Sequence, residues 1–151
     1  MTVIVNNDEA FARVFSDAHI LDLDFSLWDE NLSVLLVADH FEASGPAVLV
    51  VTFRAVRHFS VVYNHHDIEL ENGHFQWLIH EAREHPPTHK GRRSTRLSGH
   101  HASPVTEIEF DDFEILEVDQ SLLDRIAPGW REPGGPFVRR GWLHMLREES
   151  P

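Results

Sequence analysis

"FSDAHILDLDFSLWDENLSVLLVA", residues 15–38, is the stretch from which the fold follows. Leu21, Leu23, Phe25 and Leu27 share one phase of a two-residue repeat, and Asp22, Asp24 and Ser26 share the other. Side chains alternate across a strand, so this is a strand with one buried face. "WDEN", 28–31, predicts a turn. "LSVLLVA", 32–38, is apolar on both phases and predicts a central strand. A strand, a short turn and a second strand begin an antiparallel sheet.

The same rhythm continues downstream. "EASGP", 42–46, turns the chain through its Ser-Gly-Pro. "AVLVVTF", 47–53, is strongly β-branched, and "VRHFSVVY", 56–63, stays extended after a bulge or bend near Arg54-Ala55. Asn72-Gly73 lies between alternating arms in "DIELENGHFQWLI", 67–79, and predicts a hairpin, because this pair accepts the positive φ angles of a type I′ turn. In "VTEIEFDDFEILEV", 105–118, Ile108 and Phe110 share one phase, and Phe113 and Ile115 share the opposite one. The slip at Asp111-Asp112 requires a tight turn or a bulge.

Upstream, Asn7 or Asp8 caps a short helix with Ala10, Phe11, Val14 and Phe15 as its apolar side. Downstream, Ser121 caps a helical turn that ends before Pro128-Gly129, "REPGGP" at 131–136 breaks the chain, and 137–149 reads as a helix or an extended arm. The expected fold is α+β: a twisted antiparallel meander, a short N-terminal helix, and a helical or extended C-terminal tail packed against the sheet. One domain spans 1–151, with a β-rich core over about 15–118, an exposed mobile loop over 85–104 and an extension over 119–151. The expected core contains Leu21, Leu23, Phe25, Val34, Leu36, Leu49, Val51, Phe53, Phe59, Val61, Phe75 and Trp77.

Composition narrows the function. There are 25 acidic against 13 basic residues, a net charge of −12, and no cysteine. Phosphate contacts supply most of the affinity of a nucleic-acid binder, so this balance argues against nucleic acid as a partner. It suits solubility or a basic partner. Absent cysteine removes disulfides and thiol chemistry. No long apolar run predicts a membrane span, and Met1-Thr2-Val3-Ile4-Val5-Asn6 does not read as a secretory signal, so a cytoplasmic location is expected.

"HEAREH", 80–85, resembles the zincin motif, but its histidines are five apart instead of four. Five residues advance a helix by roughly 500°, well off the starting face. Pro86 and Pro87 also end any helix there. The segment is expected at the end of a strand, with a helix over 76–84 as the alternative. Eight of the twelve histidines (His65, His66, His74, His80, His85, His89, His100 and His101) lie between 65 and 101, yet no spacing matches a closed metal site. No G-x-S-x-G elbow or phosphate-binding glycine loop occurs, and "PGGP" at 133–136 is a turn. No catalytic residue, metal or cofactor is expected. A histidine-rich metal-binding or metal-dependent hydrolytic protein is the alternative.

Phe15-Ser16-Asp17-Ala18, Phe53 with Val56, and Ile108-x-Phe110 with Ile115 and Val118 carry a resemblance over Phe15 to about Asp119, some two thirds of the chain. In strand rhythm and at these positions the chain resembles one of the numbered immunity-protein families of bacterial polymorphic toxin systems. It departs from that pattern at Ser16, where histidine is frequent, and in lacking a cysteine in the last strand. The resemblance implies binding rather than catalysis and carries over no catalytic residues.

From 106 to 124 there are eight acidic residues and no lysine or arginine. Glu107, Glu109, Asp111 and Asp112 are the partner-binding candidates, because a solvent-facing acidic stripe steers a basic protein. The competing reading is an ordinary solvated sheet face. The basic segment, Lys90, Arg92, Arg93 and Arg96, is expected to be solvated or to fold against these carboxylates. Trp28, Trp77, Trp130 and Trp142 are expected in core or edge packing, with Trp130 and Trp142 also able to anchor a homo-oligomer through the C-terminal extension.

Overall fold

The computed structural model describes residues 2–4, 7–62, 70–71, 74–75, 77–86, 91–99, 104–130 and 138–148, with backbone alone at 2, 4, 70–71 and 74–75. In chain order the elements are β1 (Thr2–Ile4), α1 (Asp8–Val14), β2 (Ala18–Ser26), β3 (Asn31–Glu42), β4 (Gly45–Arg54), β5 (His58–Val62), β6 (Leu70–Glu71), β7 (His74–Phe75), β8 (Leu78–Ile79), β9 (Glu81–Glu84), β10 (Arg93–Ser98), β11 (Val105–Phe110), β12 (Asp112–Glu117), α2 (Gln120–Ile126) and α3 (Trp142–Glu148). This is the α+β architecture expected from the alternation. No helix among the described residues is long and apolar enough to cross a membrane.

A six-stranded sheet runs β1-β12-β4-β3-β2-β8, and a four-stranded sheet runs β5-β11-β10-β9. Consecutive strands lie in different sheets at three places, β4 into β5, β8 into β9, and β11 into β12, and the chain returns from β5 to β8 by way of β6 and β7. The hydrogen bonding therefore runs in a circuit, from β3 through β4, the β11–β12 run, β10 and the β8–β9 run, back to β2. The circuit leaves β1 and β5 as terminal strands of their sheets, each paired on one side. Two corners coincide with the breaks in phase. One is at Asp111, whose N–H donates to the Arg54 carbonyl at 3.0 Å; the other is at Ala55, whose φ of 53° turns the chain sharply.

Inside the curl lies a core containing Ile20, Leu32, Val34, Leu36, Leu49, Val51, Phe53, Leu97, Ile108 and Phe110. The helix α1 packs into it. Asn7 caps the helix, its side-chain oxygen accepting from the Ala10 N–H at 2.7 Å. One side of α1 buries Ala10, Phe11 and Val14. The Phe11 ring lies 5.0 Å from Phe15 and 4.8 Å from Phe113, and Phe53 lies 4.9 Å from Phe110.

The apolar runs of β3 and β4 are explained by burial on both faces. Leu35, Val37, Val48 and Val50 point away from the curl and form a second cluster with Val118, Leu123, Ile126, Trp142 and Leu146. The C-terminal extension is thus the outer layer of the sheet. Trp142 is buried, its indole N–H donating to Asp22 Oδ2 at 2.8 Å. It packs on its own sheet, and its buried ring is not open to a subunit contact.

Several expectations need correction. A bulge between Ile20 and Asp22 reverses the phase of β2. Leu21 therefore joins the outer cluster while Leu23 stays against the inner one. Phe25 reaches the rim and is 39% exposed. Phe59 and Trp77 pack partly buried on the core, and Val61 is half-buried. The side chain of Phe75 lies outside the described residues.

The segment 85–104 is not an exposed loop throughout. Arg93–Ser98 form β10, paired with β9 on one side and β11 on the other, with Thr95 and Leu97 buried. The polar composition of that strand masks the burial of Thr95 and Leu97. "HEAREH" is extended and not helical, but it holds a strand of its own, β9, in the other sheet from β8 instead of ending the preceding strand. The Asn72-Gly73 hairpin has paired arms, Leu70 with Phe75 and Glu71 with His74, while the turn pair itself lies outside the described residues.

Candidate functional site

The four carboxylates proposed as a stripe occupy β11, the corner and β12. Within β11 Thr106, Ile108 and Phe110 face the core, so Glu107 and Glu109 face out. Facing out does not expose them equally. Glu107 is half-buried, opposite Ser60 on β5 and Arg96 on β10. Glu109 is only 1% exposed. Arg92 lies over it, with Nε 3.7 Å from Glu109 Oε1, and also binds Asp111 Oδ1 through Nη1 at 2.7 Å. Its Nη2 donates to the Ala55 carbonyl. One guanidinium therefore ties the β4–β5 corner to the β11–β12 corner.

Asp112 begins β12 and faces Arg54, whose guanidinium lies 3.4 Å from Asp112 and 3.0 Å from Glu114. The acidic run is thus met by arginines from β4 and from the approach to β10. Asp111 and Asp112 remain more than half exposed; Glu109 is inaccessible to a partner. The expectation of four solvated side chains fails at Glu109, because a residue that faces away from the core can still be roofed by the next segment of chain.

Of the basic segment, Arg92 folds against the acidic run, one of the two outcomes expected, from the approach to β10. Arg92 is 13% exposed at its side chain. Arg93 binds Asp8 at 2.9 Å, and its guanidinium lies 5.4 Å from the Phe110 ring centre and 5.5 Å from that of Phe113. Arg96 is exposed, and Lys90 lies outside the described residues.

A second polar cluster joins β2 to β8 and answers what the first histidine of "HEAREH" does. Asp17, at φ 60°, receives His80 Nδ1 at 2.6 Å and His40 Nε2 at 3.3 Å, and beside it His19 Nε2 lies 3.2 Å from Asp39. The His80 hydrogen bond, aided by the charge of His80 and then of His40 and His19, holds the Asp17 carboxyl below the usual aspartate value. In the opposite direction, burial raises Glu117, with Glu42 and then Asp119 adding repulsion. Neither cluster is a metal centre: among the described residues no group of three such side chains could hold an ion. His65, His66, His89, His100 and His101, and the side chain of His74, lie outside the described residues.

Trp28, expected in packing, is 97% exposed, and Leu27, on the phase expected to be buried, is 80% exposed, both in the turn between β2 and β3. The usable signal was their place in a turn, since a tight connection projects its side chains away from the sheet. Phe25 continues this apolar rim and lies 6.0 Å from the Phe59 ring. No family model matches the chain, and no match is found among the curated proteins or the solved structures.

Proposed function

We propose that this chain is a non-catalytic binding protein, an immunity-type inhibitor of a basic protein partner. The observation that carries the reading is the filled curl. A strand circuit that could enclose a small ligand is occupied instead by the chain's own rings, Phe11, Phe15, Phe53, Phe110 and Phe113. Recognition is left to the exterior, and the chain as a whole carries a net charge of −12. An acidic exterior accelerates encounter with a basic partner and gives less to a neutral one. The resemblance over Phe15 to about Asp119 points the same way. Of the original candidates, Glu107, Asp111 and Asp112 can contribute to such a surface, while Glu109 supports it from beneath.

The test is genetic and then physical. The gene beside the one encoding this chain should specify a basic, growth-arresting protein, and co-expression of the chain should restore growth. The association rate of the purified pair should fall as the Debye length shrinks from about 30 Å at 0.01 M salt to about 10 Å at 0.1 M. A neighbouring product that is harmless, or toxicity that the chain does not relieve, rejects the immunity reading.

A further inference from the structure

The turn between β2 and β3 inverts the usual distribution of residues. Trp28 is 97% exposed and Leu27 80%, side by side. Tryptophan is rarely left in water without cause, and it is the residue most enriched where binding energy concentrates. A few exposed apolar side chains are ordinary on any surface. A tryptophan and a leucine together at the tip of a hairpin are not, because a small connection of polar residues would close the same turn.

The surroundings add a chemical signature. Beside the tip a cleft of about 220 Å³ opens between the outer face of the hairpin and α3. Asp24 and Asp29 line its hairpin wall, and His144 and Arg147 line its helix wall. His144 is already paired with Glu148 at 2.9 Å. Among the described residues neither Asp24 nor Asp29 takes part in an ion pair, unlike the arginine-paired Asp111 and Asp112. The tip therefore offers an apolar anchor next to two carboxylates outside any ion pair among the described residues, with Arg147 on the facing wall of the cleft.

We propose that Leu27 and Trp28 anchor the basic partner, inserting into an apolar pocket on it while Asp24 and Asp29 receive one of its arginine or lysine side chains. The inference rests on the binding-protein reading above and moves its energetic centre from the β11–β12 corner to the β2–β3 turn. Charge complementarity selects this occupant. A second copy of the chain would bring like carboxylates together in a symmetric contact. An anionic membrane surface would be repelled by the same groups.

The test uses the full chain and two labelled synthetic probes of equal length, one alternating arginine and leucine and one of arginine alone, read by fluorescence anisotropy. Both should bind with salt-sensitive affinity, and the arginine–leucine peptide more tightly. Trp28→Ala should weaken the arginine–leucine peptide by about tenfold or more, the range of an interface hot spot. Asp24→Asn with Asp29→Asn should weaken both probes, and Asp111→Asn with Asp112→Asn should weaken them less. If the tip variants bind as the parent does while the Asp111/Asp112 variant does not, the anchor proposal is wrong and the basic-partner reading survives. If neither probe binds the parent chain, both fail. Sedimentation supplies the remaining outcome: a dimer of the parent that Trp28→Ala dissociates makes the occupant a second copy and overturns the proposal.

Discussion

The β2–β3 turn and the β11–β12 corner handle polarity in opposite ways. At the turn a tryptophan stands in water; at the corner a glutamate is buried under an arginine. Both residues face away from the core, Glu109 by strand alternation and Trp28 by its place in the turn. What separates them is what crosses above. Nothing described covers Trp28, whereas the approach to β10 lays Arg92 over Glu109. The difference teaches that facing out and being exposed are separate properties, the first set by local periodicity and the second by distant chain.

The strongest way to break this contrast is to remove the roof. Arg92→Gln removes the guanidinium that roofs the buried Glu109 and should destabilise the fold by about 3 kcal/mol. Replacing both residues together, Arg92→Met with Glu109→Met, should recover much of that loss, because an apolar pair needs no compensation. Urea denaturation of the single and double variants decides it. A single variant within about 0.5 kcal/mol of the parent would mean that Glu109 is effectively solvated.

The next effect concerns the seam that brings β10 into place. A Cβ at Gly99 would run into the carbonyl of Leu78. Gly99→Ala should therefore force β8 and the end of β10 apart, costing about 1–3 kcal/mol, as overpacking does. Hydrogen exchange should show faster loss of protection at the His80 N–H, which donates to the Ser98 carbonyl at 2.9 Å. Unchanged exchange at His80 would show that the backbone accommodates the methyl group without opening the seam.

Between the two extremes lies the Asp17–His80 pair, whose side chains are 44% and 43% exposed. The Asp17 pKa is lowered in the folded state, first by the His80 hydrogen bond. Its stabilisation is therefore present above the unfolded-state pKa, near 3.9, and is lost as pH falls through the lower folded value. The stability difference between the parent and Asp17→Asn should be small, about 0–1 kcal/mol at neutral pH, and should shrink below about pH 4. Thermal melts at several pH values would reveal a constant difference if the carboxylate plays no such part.

The smallest expected effect sharpens the other side of the comparison. Trp28→Ala should change stability by less than about 0.5 kcal/mol, because the ring loses almost no buried contact. A large loss in urea denaturation would show that Trp28 packs in solution and would remove the basis for an anchor there.

The local order of this protein was legible in its residues. Asn7 marked the start of α1, and the phase breaks at Asp111-Asp112 and near Arg54-Ala55 marked two of the three direct passages between sheets. The continuous apolar runs of β3 and β4 required cover on both faces, and the C-terminal extension supplies the second cover. The candidate site was legible only in part. The acidic run and the basic segment do meet, but which carboxylate is buried could not be read from alternation.

By itself the sequence determined an antiparallel sheet, its N-terminal helix and, away from the bulge in β2, the alternation of strand faces, because these follow from dihedral preference and a two-residue period. Tertiary structure alone decided that the sheet curls through β8, β9 and β10, that the polar run Arg93–Ser98 is an internal strand, and that Arg92 roofs Glu109. The physical reason is that these outcomes depend on contacts between distant segments. In β10 the backbone groups are claimed by neighbours on both sides, and that pairing, not apolar content, makes six largely polar residues a strand.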